Sequence, residues 1–192
     1  MTTTQAIHRR DRWADLAVVL LVAAALLLGL VLRQFTLFRT APFTLAQAGI
    51  TGRRPETWVR EIGDDPLIRL RNARSGEFDT VLELRSRPLA AGVEPNMALD
   101  TLALERAGRV SAYRTLETDR VVVAGETATR RTFTYVSEND NPYLDRLPVV
   151  VQGTDLVLRD DDRIIIATLL ASVENVDRHA RYLHAFAESL EF

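Results

Sequence analysis

Cysteine is absent from the 192 residues, and so is lysine: all 24 basic side chains are arginine. Without cysteine there is no disulfide scaffold, no thiolate metal site and no cysteine nucleophile. Without lysine there is no side-chain amine to form a Schiff base. An excess of charge is lacking too. The 24 arginines stand against 26 acids, a formal net charge of −2, which excludes the basic footprint of a nucleic-acid binder. With 47% hydrophobic residues, the chain is also no disordered polyelectrolyte. The sequence has no G-x-S-x-G elbow, no glycine-rich phosphate loop and no H-E-x-x-H pair. Histidine is scarce, with only His8, His179 and His184. His179 and His184 are five apart, about 500° of helical rotation, so they diverge by about 140° and do not form a metal pair. The expectation is no enzyme, no cofactor and no metal.

What is present is uneven. Residues 14–32 read ADLAVVLLVAAALLLGLVL, with Asp15 the one charge. A helix of that length is roughly 28 Å long, about the thickness of a bilayer core. Trp13 stands at one edge, and Phe35 and Phe38 follow the other, as aromatic anchors do at the membrane interface. A cleaved secretory signal has a shorter apolar centre and a nearby small-residue cleavage site. Here the run is longer, and the Ala46-Gln47-Ala48 candidate lies far past its end. The reading is therefore an uncleaved single span. Arg9, Arg10 and Arg12 precede it closely, whereas Arg33 and Arg39 follow it. The positive-inside bias places residues 1–13 in the cytoplasm and the C-terminal part outside the cell membrane. Ala25 and Gly29 make a small-xxx-small pair that would admit a second helix.

Residues 33–44 read as a connector of at most roughly 43 Å, and residues 45–192 as one domain, with 19 arginines against 24 acids. Strands are predicted over 67–73, 78–85, 110–116, 121–124, 131–136, 149–151 and 156–158, the last two parted by Gly153. Residues 163–172 form a near-continuous apolar run, as in a central strand covered on both faces. Residues 95–107, with Pro95 at the start and Gly108 after the end, predict a helix. Residues 173–190 predict an amphipathic one, with Val176, Ala180, Leu183, Phe186, Ala187 and Leu190 on its apolar side. The pattern is α+β with a largely antiparallel sheet.

Asp160-Asp161-Asp162 lies between two strands. Consecutive carboxylates without a glycine make a solvated turn rather than a calcium loop. Glu138-Asn139-Asp140-Asn141-Pro142 is a second turn signature. Trp58, Tyr113, Phe133 and Tyr135 are expected in the core.

Four short stretches carry a resemblance. They are Pro55-Glu56-Thr57-Trp58, the run Val123-Ala124-Gly125-Glu126-Thr127-Ala128, the Arg163 strand after its acidic turn, and the closing Ser189-Leu190-Glu191-Phe192. Over residues 48–192 the chain resembles the PsbP-like family, named for the extrinsic oxygen-evolving protein of photosystem II. The resemblance implies an α/β/α sandwich and a non-catalytic accessory role in a membrane assembly. The membrane span is a departure that favours anchoring over a photosynthetic role. The expected function is that of a single-span protein presenting a PsbP-like domain, with the lipid bilayer and other subunits of a membrane complex as partners. The competing reading is an extracytoplasmic small-ligand or metal-binding protein, with hydrolytic activity conceivable, using a pocket between sheet and helix.

Overall fold

The computed structural model describes the backbone of residues 4–37, 39–89, 94–138 and 147–192, and the side chains of the same residues except 4–15 and 33–37. It divides into two compact units, Met1–Arg39 and Thr40–Phe192.

In the first unit the described residues form the helix α1 (Thr4–Leu37). Its described side chains, those of residues 16–32, are all exposed and apolar. Among the described residues no helix is long and apolar enough to cross a membrane. Ala14 and Asp15, which complete the run read from the sequence, have no described side chains.

The described residues of the second unit form nine strands and two helices: β1 (Thr40–Leu45), β2 (Ile50–Pro55), β3 (Val59–Ile62), β4 (Ile68–Asn72), β5 (Thr80–Pro88), α2 (Pro95–Ala107), β6 (Ser111–Val123), β7 (Glu126–Ser137), β8 (Val149–Asp160), β9 (Arg163–Ser172) and α3 (Val176–Glu188). Seven strands form one sheet in the order β3-β4-β5-β9-β8-β7-β6, and every pairing in it is antiparallel. The apolar run of β9 is central and covered on both faces. Alternation sends Ile165, Ala167 and Leu169 into the core beneath α3, with Leu183 and Phe186. Ile164 and Ile166 enter a second core beneath α2, with Leu99 and Leu102. Two helices on opposite faces of one sheet give the α/β/α sandwich.

Three differences from the sequence reading have local causes. The connector is shorter than residues 33–44, because β1 already pairs with β2, and Phe43 is buried and stacked on Phe186 at 5.7 Å. The stretches 110–116 and 121–124 belong to one strand, β6, whose charged middle belongs to a sheet edge; irregular register near Ser111 to Glu117 hid the continuity. Gly153 does not interrupt β8. It sits under the Phe133 ring, which occupies the space a Cβ would take, 2.1 Å from Cζ. The β6–β7 hairpin turns through Ala124 and Gly125, both at positive φ (52° and 87°), as a two-residue turn between twisted strands requires.

Candidate functional site

The core beneath α3 is built of apolar side chains, whereas the α2 face of the sheet is crossed by a row of polar ones. Register places Glu83 of β5 beside Thr168 of β9, Thr168 beside Asp155 of β8, Asp155 beside Arg131 of β7, and Arg131 beside Thr118 of β6. Glu83, Asp155, Thr168 and Arg131 are all buried. A buried charge is tolerated only when paired and hydrogen-bonded, and each is. Arg106 of α2 grips Asp155 with two bonds, Nη1 to Oδ2 at 2.6 Å and Nη2 to Oδ1 at 2.9 Å, and Thr168 Oγ1 donates to the same carboxylate at 2.6 Å. Arg131 Nη1 reaches Asp100 of α2 at 2.8 Å, while its Nε donates to Thr118 Oγ1. The Arg106 guanidinium also lies 4.3 Å from the centre of the Phe133 ring. Burial works against the charge of Arg106, but the negative charge and hydrogen bonds of Asp155 outweigh it and hold the guanidinium above its ordinary value.

Toward the β5 side, the ion pairs run in series. Glu83 Oε1 accepts from Arg69 Nε at 2.9 Å, and its Oε2 is 2.8 Å from Arg85 Nη2. Asp65 joins Arg85 at 3.0 Å to Arg87 at 2.6 Å, and Arg87 approaches Glu105 of α2 at 3.6 Å. Between α2 and this network lies a cleft of about 190 Å³ lined by Arg69, Glu83, Arg85, Arg106, Arg109 and Tyr135. Burial, with a contribution from the negative Glu83, pushes the Tyr135 phenol up to about 12, so it stays a neutral donor at physiological pH. The Arg109 guanidinium and the Tyr135 hydroxyl have no hydrogen-bond or ion-pair partner among the described residues. This polar cleft between sheet and helix is the candidate site.

The interface, helix-packing and histidine residues singled out in the sequence are not among those that line this cleft. Trp13, Phe35 and Phe38 have no described side chains, and the same is true of His8. Ala25 and Gly29 are exposed on α1, and nothing lies within 4 Å of a Cβ placed on Gly29. His179 was expected on the helix surface and is instead buried, because it takes the core-facing place on α3 expected of Ala180, which is exposed. Its Nδ1 donates to the Asn175 carbonyl at 2.9 Å, and its ring packs on Tyr182 and Trp58. Burial lowers its pKa, the Asn175 bond opposes that shift, and Arg178 and Arg181 reinforce it. His184 is exposed. Asp160 pairs with Arg163, and Asp161 takes a φ of 44° in the β8–β9 turn, so this is a hairpin. The turn around Asn139 lies outside the described residues, apart from Glu138. Among the described residues no group of three or more histidine or acidic side chains is arranged to hold a metal ion.

Of the expected core aromatics, Trp58 and Phe133 are buried, whereas Tyr113 and Tyr135 are half-buried on the α2 side. The polar row itself was not read from the sequence. Each strand contributes a single member, hidden in apolar or alternating surroundings, and only register aligns them.

No protein-family model matches the chain, and no curated protein matches it either. Solved structures do. Cyanobacterial PsbP (CyanoP) from Synechocystis sp. PCC 6803 superposes with a TM-score of 0.56 at 8% identity, covering 79% of this chain and 91% of that one. The Ran-binding protein Mog1p of Saccharomyces cerevisiae reaches 0.48 at 14% identity, covering 78% and 86%. LpqN of Mycobacterium tuberculosis, involved in cell envelope biogenesis, reaches 0.48 at 11%, covering 79% and 83%. At such identities a likeness speaks for architecture alone. The chain has a mixed α/β, PsbP-like fold with an antiparallel sheet.

Proposed function

We propose that this chain is a non-catalytic accessory protein, held at a cell membrane by α1 and presenting its PsbP-like unit to other subunits of a membrane complex on the extracytoplasmic side. The observation that carries the proposal is the surface of α1. From Leu16 to Leu32 its large side chains, Leu20, Leu21, Leu26 and Leu28 among them, are 48–71% exposed all round the helix. A helix apolar on every side is stable in a core or in lipid, not in water. Lipid also suits its backbone, whose hydrogen bonds are satisfied within the helix. The full run of 19 residues read from the sequence, rather than its described part alone, supplies the length of a span.

The accessory role is supported by how the polar groups of the second unit are used. The buried carboxylate of Asp155 is spent on Arg106, which fastens α2 to the sheet, and that of Glu83 on Arg69 and Arg85 within the sheet, an arrangement that builds a rigid body. The test has two parts. Membranes washed with alkaline carbonate should retain the protein, and a periplasmic-type reporter fused after Phe192 should be active. Release into the wash overturns the anchor, and activity of a cytoplasmic-type reporter instead overturns the orientation. Purification in mild detergent should then yield stoichiometric co-migrating membrane subunits. A monodisperse lone chain would end the accessory reading.

A further inference from the structure

We propose that the cleft between α2 and β5 binds a small phosphate-type oxyanion, with Arg109 and Tyr135 as the groups that complete the site. The argument is an account of donors and acceptors. The acceptors in the cleft are engaged: both oxygens of Glu83 are held by Arg69 and Arg85, and both oxygens of Asp65 by Arg85 and Arg87. Glu105 faces Arg87. Two of the C-terminal carbonyls of α2 are engaged as well, Leu104 accepting from the Gly108 N–H and Arg106 from those of Arg109 and Val110.

The donors are in surplus. A guanidinium carries five N–H groups, and Arg109 spends none of its own on a described residue. The Tyr135 hydroxyl is likewise unspent. Five guanidiniums, of Arg69, Arg85, Arg87, Arg106 and Arg109, stand against the four carboxylates of Asp65, Glu83, Glu105 and Asp155, so the cleft carries one positive charge in excess, that of Arg109. A cation entering it would meet carboxylates that already face arginines, Glu105 the most loosely at 3.6 Å from Arg87. An oxyanion meets free N–H and O–H donors, in the charge-assisted geometry that arginine forks favour. Size agrees as well: about 190 Å³ corresponds to roughly six waters at liquid density, room for a phosphate group and a small substituent. Arg69, Arg85 and Arg106 are positioned in advance by Glu83 and Asp155, so among the arginines of the cleft Arg109 is the one that must gain side-chain order on binding.

The experiment uses the full-length chain in detergent at constant ionic strength, with sodium chloride replacing sodium phosphate. Titration calorimetry with inorganic phosphate should show saturable one-site binding, and the melting temperature should rise with phosphate. Arg109→Gln should weaken binding about tenfold or more, and Tyr135→Phe several-fold, as expected for a charged and a neutral hydrogen bond. Neither change should alter stability without phosphate, because neither side chain belongs to the buried pairs. Glycerol 3-phosphate forms a second arm. Tighter binding than inorganic phosphate identifies a phosphomonoester as the occupant, and weaker binding identifies the free ion. A phosphate response no larger than that to chloride overturns the proposal. So does unchanged affinity in Arg109→Gln. The result does not depend on whether α1 spans a membrane, so this site and the anchor fail separately.

Discussion

Gly153→Ala is the smallest change that the packing on the α2 face should not tolerate. A Cβ at Gly153 lies 2.1 Å from Phe133 Cζ, 2.4 Å from Cε2 and 2.7 Å from Cε1. Ordinary carbon contact is about 3.5 Å, so the ring would have to retreat by roughly 1.4 Å. It has little room, being fully buried, with Arg106 over its face and Tyr113 stacked at 5.4 Å. Overpacking of this kind costs about 1–3 kcal/mol, and expelling the ring approaches the 3–5 kcal/mol of losing a buried phenylalanine. Alanine returns about 0.4–1 kcal/mol through the unfolded chain. The expected net loss is about 2–4 kcal/mol, read as a fall of about 1–2 M in the urea midpoint. Fluorescence of the buried Trp58 can follow the transition. The cause is separated from a general strand defect by adding Phe133→Leu, which removes the ring edge. The double variant should be clearly more stable than the sum of the two single changes predicts. A Gly153→Ala protein within about 0.5 kcal/mol of wild type, or strict additivity in the double variant, would refute the reasoning.

Three further outcomes follow from the same structure. Asp155→Ala should cost about 3–5 kcal/mol in urea denaturation, because it strands the Arg106 guanidinium beneath α2, whereas Asp155→Leu with Arg106→Met should recover much of that loss. Since burial lowers the His179 pKa, the unfolded chain binds a proton more readily than the folded one. The stability contributed by His179 is therefore present above the ordinary histidine range near 6.5, and is lost as pH falls below it. His179→Gln should flatten the dependence of the urea midpoint between pH 7.5 and 5, and an equally steep curve would show that other groups carry it. Finally, a fragment of residues 40–192 should show a cooperative melt by circular dichroism, and one of residues 46–192 should melt well below it, since it lacks Phe43 and Leu45, each worth about 1.5–3 kcal/mol when buried.

The sequence by itself determined the features set by local pattern. Pro95 and Gly108 bracket α2, and the apolar run of residues 163–172 is the central strand β9, because a helix start, a helix stop and a two-sided strand each leave a mark within a few residues. The hydrophobicity of residues 14–32 is equally local and visible in composition alone. The short strands β2 and β3 left no such mark: β3 has four residues, all exposed, and its place follows only from pairing with β4. His179 shows the limit of pattern reading, since a polar residue on the apolar side of a helix reads as surface until its neighbours arrive from far along the chain, Trp58 from the β2–β3 turn and Thr80 from β5. The cleft was beyond sequence for the same reason. Glu83, Thr168, Asp155 and Arg131 come from four strands, and a slip of one residue in any of them would turn its member to the opposite face. Register is a property of the assembled sheet, and it decided that Glu83, Asp155 and Arg131 meet beneath α2, with Tyr135 on the same face.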